Sequence, residues 1–196
     1  MREGEEIRKE LRCRVFPLNS LGTYKYTVIC ASVDGRWILS KHRNRDTWES
    51  QGGHIEPGES PLDAAKRELY EESGIRDADI YPVCDYLGYN HLRRANGMVF
   101  LAVVHAIGEL PESEMGEIGI FRELPENLTY PLTSPVLYRA AEKLLRSLVR
   151  FELATEDDAQ TIIELRKRIW ATTYRGLYPD CMIDDFDYAW HLEKEL

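Results

Sequence analysis

Residues 67 to 75 read RELYEESGI, and Glu68, Glu71 and Glu72 in that run stand about one helical turn or less apart. At about 100° per residue, Glu71 and Glu72 fall within roughly 60° of Glu68 on a helical wheel, so these carboxylates share one face. Like charges at that spacing repel by a few tenths of a kcal/mol per pair. Carboxylates converging in a cleft also raise one another's pKa unless a cation compensates. Arg67 is adjacent, but it lies about 100° round the wheel and brings one charge against a larger group of acids. Hard divalent ions such as Mg2+ or Mn2+ take carboxylate and carbonyl oxygens, with water in the remaining positions. The spacing therefore points to divalent-cation chemistry, set against the plainer alternative of a solvated, glutamate-rich helix face.

The helix that must carry these acids has well-marked ends. It runs from about residue 61 to 73, with Ser60 as N-cap, Pro61 in the first helical position, Asp63 in the first turn and Gly74 just past the end. Leu62, Ala65 and Leu69 form an adjoining apolar stripe that can dock on a core while the acids face a cleft. Apolar and β-branched runs at 12–18, 24–33, 36–40, 79–87, 97–107 and 117–121 read as strands of a mixed sheet. Asp34-Gly35 and Asn96-Gly97 are hairpin signals between them. A second helix, about 135 to 146, opens at Ser-Pro and carries Leu137, Ala140, Ala141 and Leu144 on one stripe. The pattern is α+β.

Gly53, Glu59, Arg67, Glu68, Leu69, Glu71, Glu72, Gly74 and Ile75 match every position of the box G-x5-E-x7-R-E-U-x-E-E-x-G-U, where U is apolar. In this the chain resembles the Nudix hydrolases over about residues 10–148. The resemblance implies a mixed sheet sandwiched between helices, with the box as loop-helix-loop, and cleavage of a nucleoside diphosphate linked to a further group with the help of Mg2+ or Mn2+. Carried over by position, Glu68, Glu71 and Glu72 are the implied metal ligands, with the Gly52 carbonyl completing the site. Glu59 would support them through water or a second metal, and Arg67 would orient a glutamate by a salt bridge.

Attack on a pyrophosphate phosphorus also needs a carboxylate to take the proton of the attacking water. In related enzymes that residue often comes from a loop after the box, where SEMGEIGIF offers Glu114, the first choice, and Glu117. Ahead of the box, Trp48 occupies a position where an aromatic is frequent, for packing or for base stacking. Gln51 stands where most relatives carry proline. Lys41, His42, Arg43 and Arg45 are placed to meet substrate phosphates or to form a solvated hairpin tip. Asn90, His91, Arg93 and Arg94 read as a polar hairpin loop or a cleft mouth. KHRNRDTWE and FRELPENLTYPL are similar to a branch of bacterial 8-oxo-dGTP diphosphatases, which makes a nucleoside triphosphate the leading substrate. ADP-ribose, a dinucleoside polyphosphate and an RNA 5′ end are the alternatives, and a non-catalytic nucleotide-sensing module is the rival of another class.

The net charge of −9 argues against general affinity for nucleic-acid backbones, though cations can neutralise a small anionic substrate locally. The charged opening and the lack of a long apolar run lead us to expect a cytoplasmic protein without a signal peptide or membrane anchor. Scattered cysteines fit reduced core thiols. After Arg150 the pattern restarts with a strand RFELA, a cap at Thr155 paired with Asp158, and a helix placing Ile162, Leu165, Ile169 and Trp170 on one face. Residues 149–196 resemble the opening β-α-α of a GNAT acetyltransferase. They lack the R/Q-x-x-G-x-G/A loop that binds the coenzyme's pyrophosphate. No acetyltransferase activity is expected; either the natural protein continues beyond Leu196 or the apolar helix face packs on the first domain or on a second copy in a homodimer, with a plain C-terminal helical extension as the alternative.

Overall fold

The computed structural model describes residues 2–148, 155, 158–179 and 183. The chain divides into two compact units, Met1–Val149 and Arg150–Leu196.

The first unit is built on a mixed sheet whose strands alternate between two helical faces. Its elements are α1 (Arg2–Glu10), β1 (Arg12–Phe16), β2 (Tyr26–Val33), β3 (Arg36–His42), β4 (Trp48–Glu49), β5 (Gln51–His54), α2 (Pro61–Ser73), β6 (Asp77–Tyr89), β7 (Arg94–Ala106), β8 (Met115–Phe121) and α3 (Ser134–Leu148). The strand order is β1-β6-β7-β2-β3-β4, with β5 paired to β2 and β8 to β3; β2 and β7 are parallel, the remaining pairs antiparallel. Side chains of a strand point alternately to opposite faces, so each central strand feeds two cores. Ile29, Ala31, Ile38, Phe100 and Ala102 pack with Ala65 and Leu69 of α2. Cys30, Leu39, Val99 and Leu101 pack with Leu137, Tyr138 and Ala141 of α3. This is the sheet between helices that the resemblance implied.

Strand and helix positions follow the sequence pattern closely, and three details differ. Asn96-Gly97 is not a turn: it lies inside β7, where a Cβ on Gly97 would come 2.6 Å from the Tyr86 ring and 2.4 Å from the Tyr26 carbonyl oxygen. The glycine serves close approach rather than chain reversal. The reversal occurs at Asn90–Arg93, where Asn90 Oδ1 accepts from the backbone N–H groups of Leu92 (2.9 Å) and Arg93 (2.8 Å). Asp34-Gly35 does turn β2 into β3, with φ of 50° and 71°. Leu62 is not part of the docked stripe of α2, being 37% exposed, and Ala64 takes its place. The opening residues form α1, which has too few apolar positions to show in a periodicity reading.

In the second unit, α4 (Ala159–Thr173) follows a Thr155–Asp158 pair in exchanged roles: Asp158 Oδ2 accepts from the Thr155 N–H (2.9 Å) and hydroxyl (2.8 Å). Those bonds hold the Asp158 carboxyl below its ordinary range. Leu165 and Ile169, expected on a buried face, are 45% and 48% exposed, while Ile163 is buried. The strand read at RFELA lies outside the described residues. Among the described residues no helix is long and apolar enough to cross a membrane.

Candidate functional site

The acids are held by the ends of α2 and by the strand it covers. Ser60 Oγ accepts from the Asp63 N–H at 3.2 Å, and Gly74 closes the helix in the left-handed conformation (φ 73°), its N–H donating to the Tyr70 carbonyl at 2.8 Å. Between these caps the helix is pinned by Ala65 and Leu69, which fixes where Glu68 and Glu72 point. Both turn towards β5. Gly53 gives Glu68 its space: a Cβ there would lie 2.1 Å from Glu68 Oε1. Gly52 donates its N–H to Glu72 Oε2 at 2.8 Å, so the double glycine lets backbone approach two carboxylates at once.

Burial sets the electrostatics. Glu72 is only 7% exposed. Burial pushes its carboxyl up to about 9; the Gly52 N–H opposes this, and the charges of Glu68, Glu49 and Glu114 add to it. Burial also raises Glu68, against the opposing pull of Arg67.

Arg67 does more than the wheel suggests. Its guanidinium reaches Glu59 twice, Nε to Oε1 at 2.9 Å and Nη2 to Oε2 at 3.0 Å. It also reaches Glu68 Oε1 at 2.8 Å, Glu71 Oε2 at 3.2 Å and the His54 carbonyl at 3.0 Å. The fork geometry of a guanidinium allows one side chain to serve several carboxylates. The Arg67 bonds, with the Glu56 N–H, hold Glu59 below the usual carboxylate range, and the Glu59 pairing raises Arg67 further. Arg67 thus pairs with Glu59, Glu68 and Glu71 rather than with one glutamate, while its single charge still stands against a larger number of acids. Among the described residues no cationic side chain pairs with Glu72, which faces the charges of Glu68, Glu49 and Glu114.

The donor set fits a hard divalent ion: carboxylates of Glu68, Glu71 and Glu72, the Glu59 carboxylate beside them and the Gly52 backbone. The observation behind the fit is Glu72, a buried acid among acids whose ionised form needs more positive charge than Gly52 supplies. Among the described residues no three ligating side chains are gathered as a metal ion would hold them. Glu59, Glu68 and Glu71 instead converge on Arg67.

The remaining residues singled out in the sequence lie around this cluster in several roles. Trp48 packs edge-on against Phe121 (ring centroids 4.9 Å apart), and Lys41 Nζ lies over the Trp48 ring, 4.8 Å from its centroid. Lys41 also pairs with Glu117. Arg43 donates to the Met115 carbonyl at 3.1 Å. Arg45 grips Glu49 with one nitrogen, at 2.7 and 2.9 Å. Glu114 is 67% exposed, with Oε2 3.6 Å from His42 Nε2, and its backbone carbonyl accepts from the Arg43 N–H. His42 Nδ1 accepts from the Asn44 N–H at 3.1 Å, which leaves Nε2 as the protonated nitrogen facing Glu114.

Sequence reasoning missed Glu49. It is 5% exposed and paired across the strands with Ser40 beneath α2; burial raises its carboxyl, and Arg45 opposes the shift most strongly. The i,i+4 spacing to Arg45 was its only signal. Tyr130, likewise raised by burial, lies within electrostatic reach of Glu49 and Glu72.

A loop-helix-loop of acids laid over a mixed sheet that is covered by helices on both faces is the arrangement of a Nudix domain. Residues 24–131 match the model of the NUDIX domain, and the chain belongs to the Nudix family. It is 31% identical over 111 residues to YtkD of Bacillus subtilis (strain 168), a protein provisionally named for 8-oxo-dGTP diphosphatase activity; the match covers 54% of this chain and 66% of that one. It is 32% identical over 114 residues to an RNA pyrophosphohydrolase of Bartonella bacilliformis, covering 56% and 63%. The chain thus spans just under two thirds of the length of these relatives. Among solved structures, the Bacillus subtilis pyrophosphohydrolase BsRppH superposes with a TM-score of 0.59 at 23% identity, covering 70% of this chain and 90% of that one. A NUDIX family hydrolase from Clostridium perfringens gives 0.51 at 19%, covering 64% and 99%. These likenesses establish the fold.

Proposed function

We propose that this chain is a divalent-metal-dependent pyrophosphohydrolase that cleaves a nucleoside triphosphate, 8-oxo-dGTP being the specific candidate, to the monophosphate and pyrophosphate. The observation that carries the reading is the buried Glu72, held by Gly52 beside Glu68 and short of positive charge. Mg2+ or Mn2+, when bound, supplies neutralisation of the phosphate oxygens and activation of water. Glu68, Glu71 and Glu72, with the Gly52 carbonyl, would hold it, and Glu59 would support them. Arg67 keeps Glu59, Glu68 and Glu71 within reach of one another. Glu114 takes the proton of the attacking water, with the His42 ring facing its carboxylate; the water oxygen bonds to phosphorus as the P–O–P bridge between the α and β phosphates breaks, and pyrophosphate leaves. An intact acid cluster supports catalysis over a sensing role.

Arg43, Arg45 and Lys41 are engaged by Met115, Glu49 and Glu117. Of these, Lys41 pairs with the half-exposed Glu117 and stacks on Trp48, which makes it the one placed to exchange a carboxylate for a substrate phosphate.

A triphosphorylated RNA 5′ end is a second reading, supported by the names of several relatives and by basic residues gathered at one corner of the sheet. Arg12, Tyr89 and Arg94 form a cross-strand row there, next to a groove of about 530 Å3 lined by Lys9, Arg12 and by His91, which pairs with Glu10. Pyrophosphate release at a few mM Mg2+ from dGTP, 8-oxo-dGTP, ADP-ribose, a dinucleoside polyphosphate and a 5′-triphosphorylated RNA separates the readings. A kcat/KM preference for 8-oxo-dGTP supports the first, preference for the RNA supports the second, and no release from any of them, with the protein folded and metal bound, counts for a sensor. For residues 149–196 the proposal remains a GNAT-like opening segment without acetyl transfer, checked by the absence of acetyl-CoA binding.

A further inference from the structure

Glu72 sits in the last turn of α2, where backbone carbonyls run out of intrahelical N–H partners. Its carbonyl is instead taken by the sheet below: Ser40 Oγ on β3 donates to it at 2.7 Å. That hydroxyl has one proton, and its acceptor side is filled by Gln51 Nε2 on β5 at 2.8 Å. Gln51 Nε2 also reaches the Ile38 carbonyl at 3.4 Å. Ser40 and Gln51 are both 0% exposed. Strand alternation puts them under α2, since Ser40 shares the face of Ile38 and Gln51 pairs with Ile29, both packed on that helix.

The chain Gln51–Ser40–Glu72 is directional, and it costs something to keep. Gln51 Oε1 is buried with no donor, a penalty an apolar side chain would avoid. The amide therefore contributes through its nitrogen. Meanwhile the next residue, Gly52, holds the Glu72 carboxylate. Glu72 is thus gripped at its carbonyl by Ser40 and at its side chain by the strand that carries Gln51, the residue that replaces the usual proline ahead of the double glycine.

We propose that Gln51 and Ser40 are positioning residues that set the Glu72 carboxylate for divalent-cation binding. The inference rests on the reading of the α2 acids as metal ligands. Partners that orient a ligand typically change metal affinity by about 10- to 100-fold when removed, whereas a residue that only stabilises the fold leaves the affinity of the folded protein alone.

The experiment is Mn2+ titration of the full chain, followed by the electron paramagnetic resonance of free Mn2+ well below the melting temperature. Circular dichroism confirms folding of each variant. Ser40→Ala and Gln51→Leu are each expected to weaken Mn2+ binding about tenfold. The double variant should lose no more than the larger single effect, because both act through one chain of hydrogen bonds. If Ser40→Ala does not fold, Gln51→Leu carries the test. Wild-type binding that Glu72→Gln abolishes but Ser40→Ala and Gln51→Leu leave unchanged would overturn this proposal alone. Failure of the wild type to bind Mn2+ would overturn the metal-site reading and this proposal together.

Discussion

Glu72 concentrates the tension of the site because its ionised form is buried among acids. Its folded-state carboxyl is raised from an ordinary 4.5 to about 9 in the metal-free protein. The sign of the linkage follows: between those values the folded protein holds a proton that the unfolded chain has released, so stability falls as pH rises from about 4.5 towards 9. Glu72→Gln removes that dependence while keeping an oxygen to accept from Gly52. Denaturant melts in chelator should therefore show the variant equal to wild type near pH 4.5 and more stable by a few kcal/mol near pH 9, and equal pH slopes would refute the assignment. At the other side of the cleft, Glu114→Gln removes the proton acceptor and should lower kcat by about 100-fold or more with little change in KM. His42→Ala should cost about tenfold, the smaller loss expected of a group that faces the base rather than acting as it. Steady-state kinetics on the preferred nucleotide reads both.

The scale of the element is set by how α2 meets β5. Gly53→Ala would place a methyl where Glu68 Oε1 lies 2.1 Å away, at the end of a flexible side chain that can yield by turning. We expect Mn2+ affinity and kcat/KM to fall at least tenfold with a loss of stability below about 1 kcal/mol. Leu137→Ala, in the other core, should do the opposite, costing about 2–5 kcal/mol with near-normal turnover in the surviving folded protein. Chemical melts and initial rates on the same samples distinguish the two patterns. The contrast also explains what the sequence could reveal. Helix α2 was legible because Ser60, Pro61 and Gly74 mark its ends and the acid spacing marks its face. Residue Glu49 was not, because β4 is two residues long and no period can show in so short a strand. Arg67 pairs with more carboxylates than the sequence suggested because a wheel gives angles, and a guanidinium at the end of a long side chain reaches past its angle. Gly97 was misread because close ring packing and chain reversal ask for the same residue, and only the neighbouring Tyr86 tells them apart.

At the scale of the whole molecule, both cores and every group assigned to the site lie within Met1–Val149, and the family match ends at residue 131. Helix α3, the last element of the first core, closes it with Leu137, Tyr138 and Ala141, and Trp37 meets Tyr138 edge-on at 4.9 Å. A chain ended after Leu148 therefore keeps the apolar side chains described in these two cores and every carboxylate the proposed chemistry needs. Its fold should hold for the reason the full chain's does, since burial of apolar area is the main favourable term and the described side chains of both cores lie in α3 or before it. We expect such a chain to release pyrophosphate from the preferred substrate with kcat/KM within about twofold of the full protein, the spread expected when no assigned group is removed. A melting temperature close to the wild type should accompany it. A fall in kcat/KM of more than tenfold with a normal melt would instead mean that residues 149–196 supply a group to catalysis, and would move the functional boundary of the protein beyond the Nudix domain.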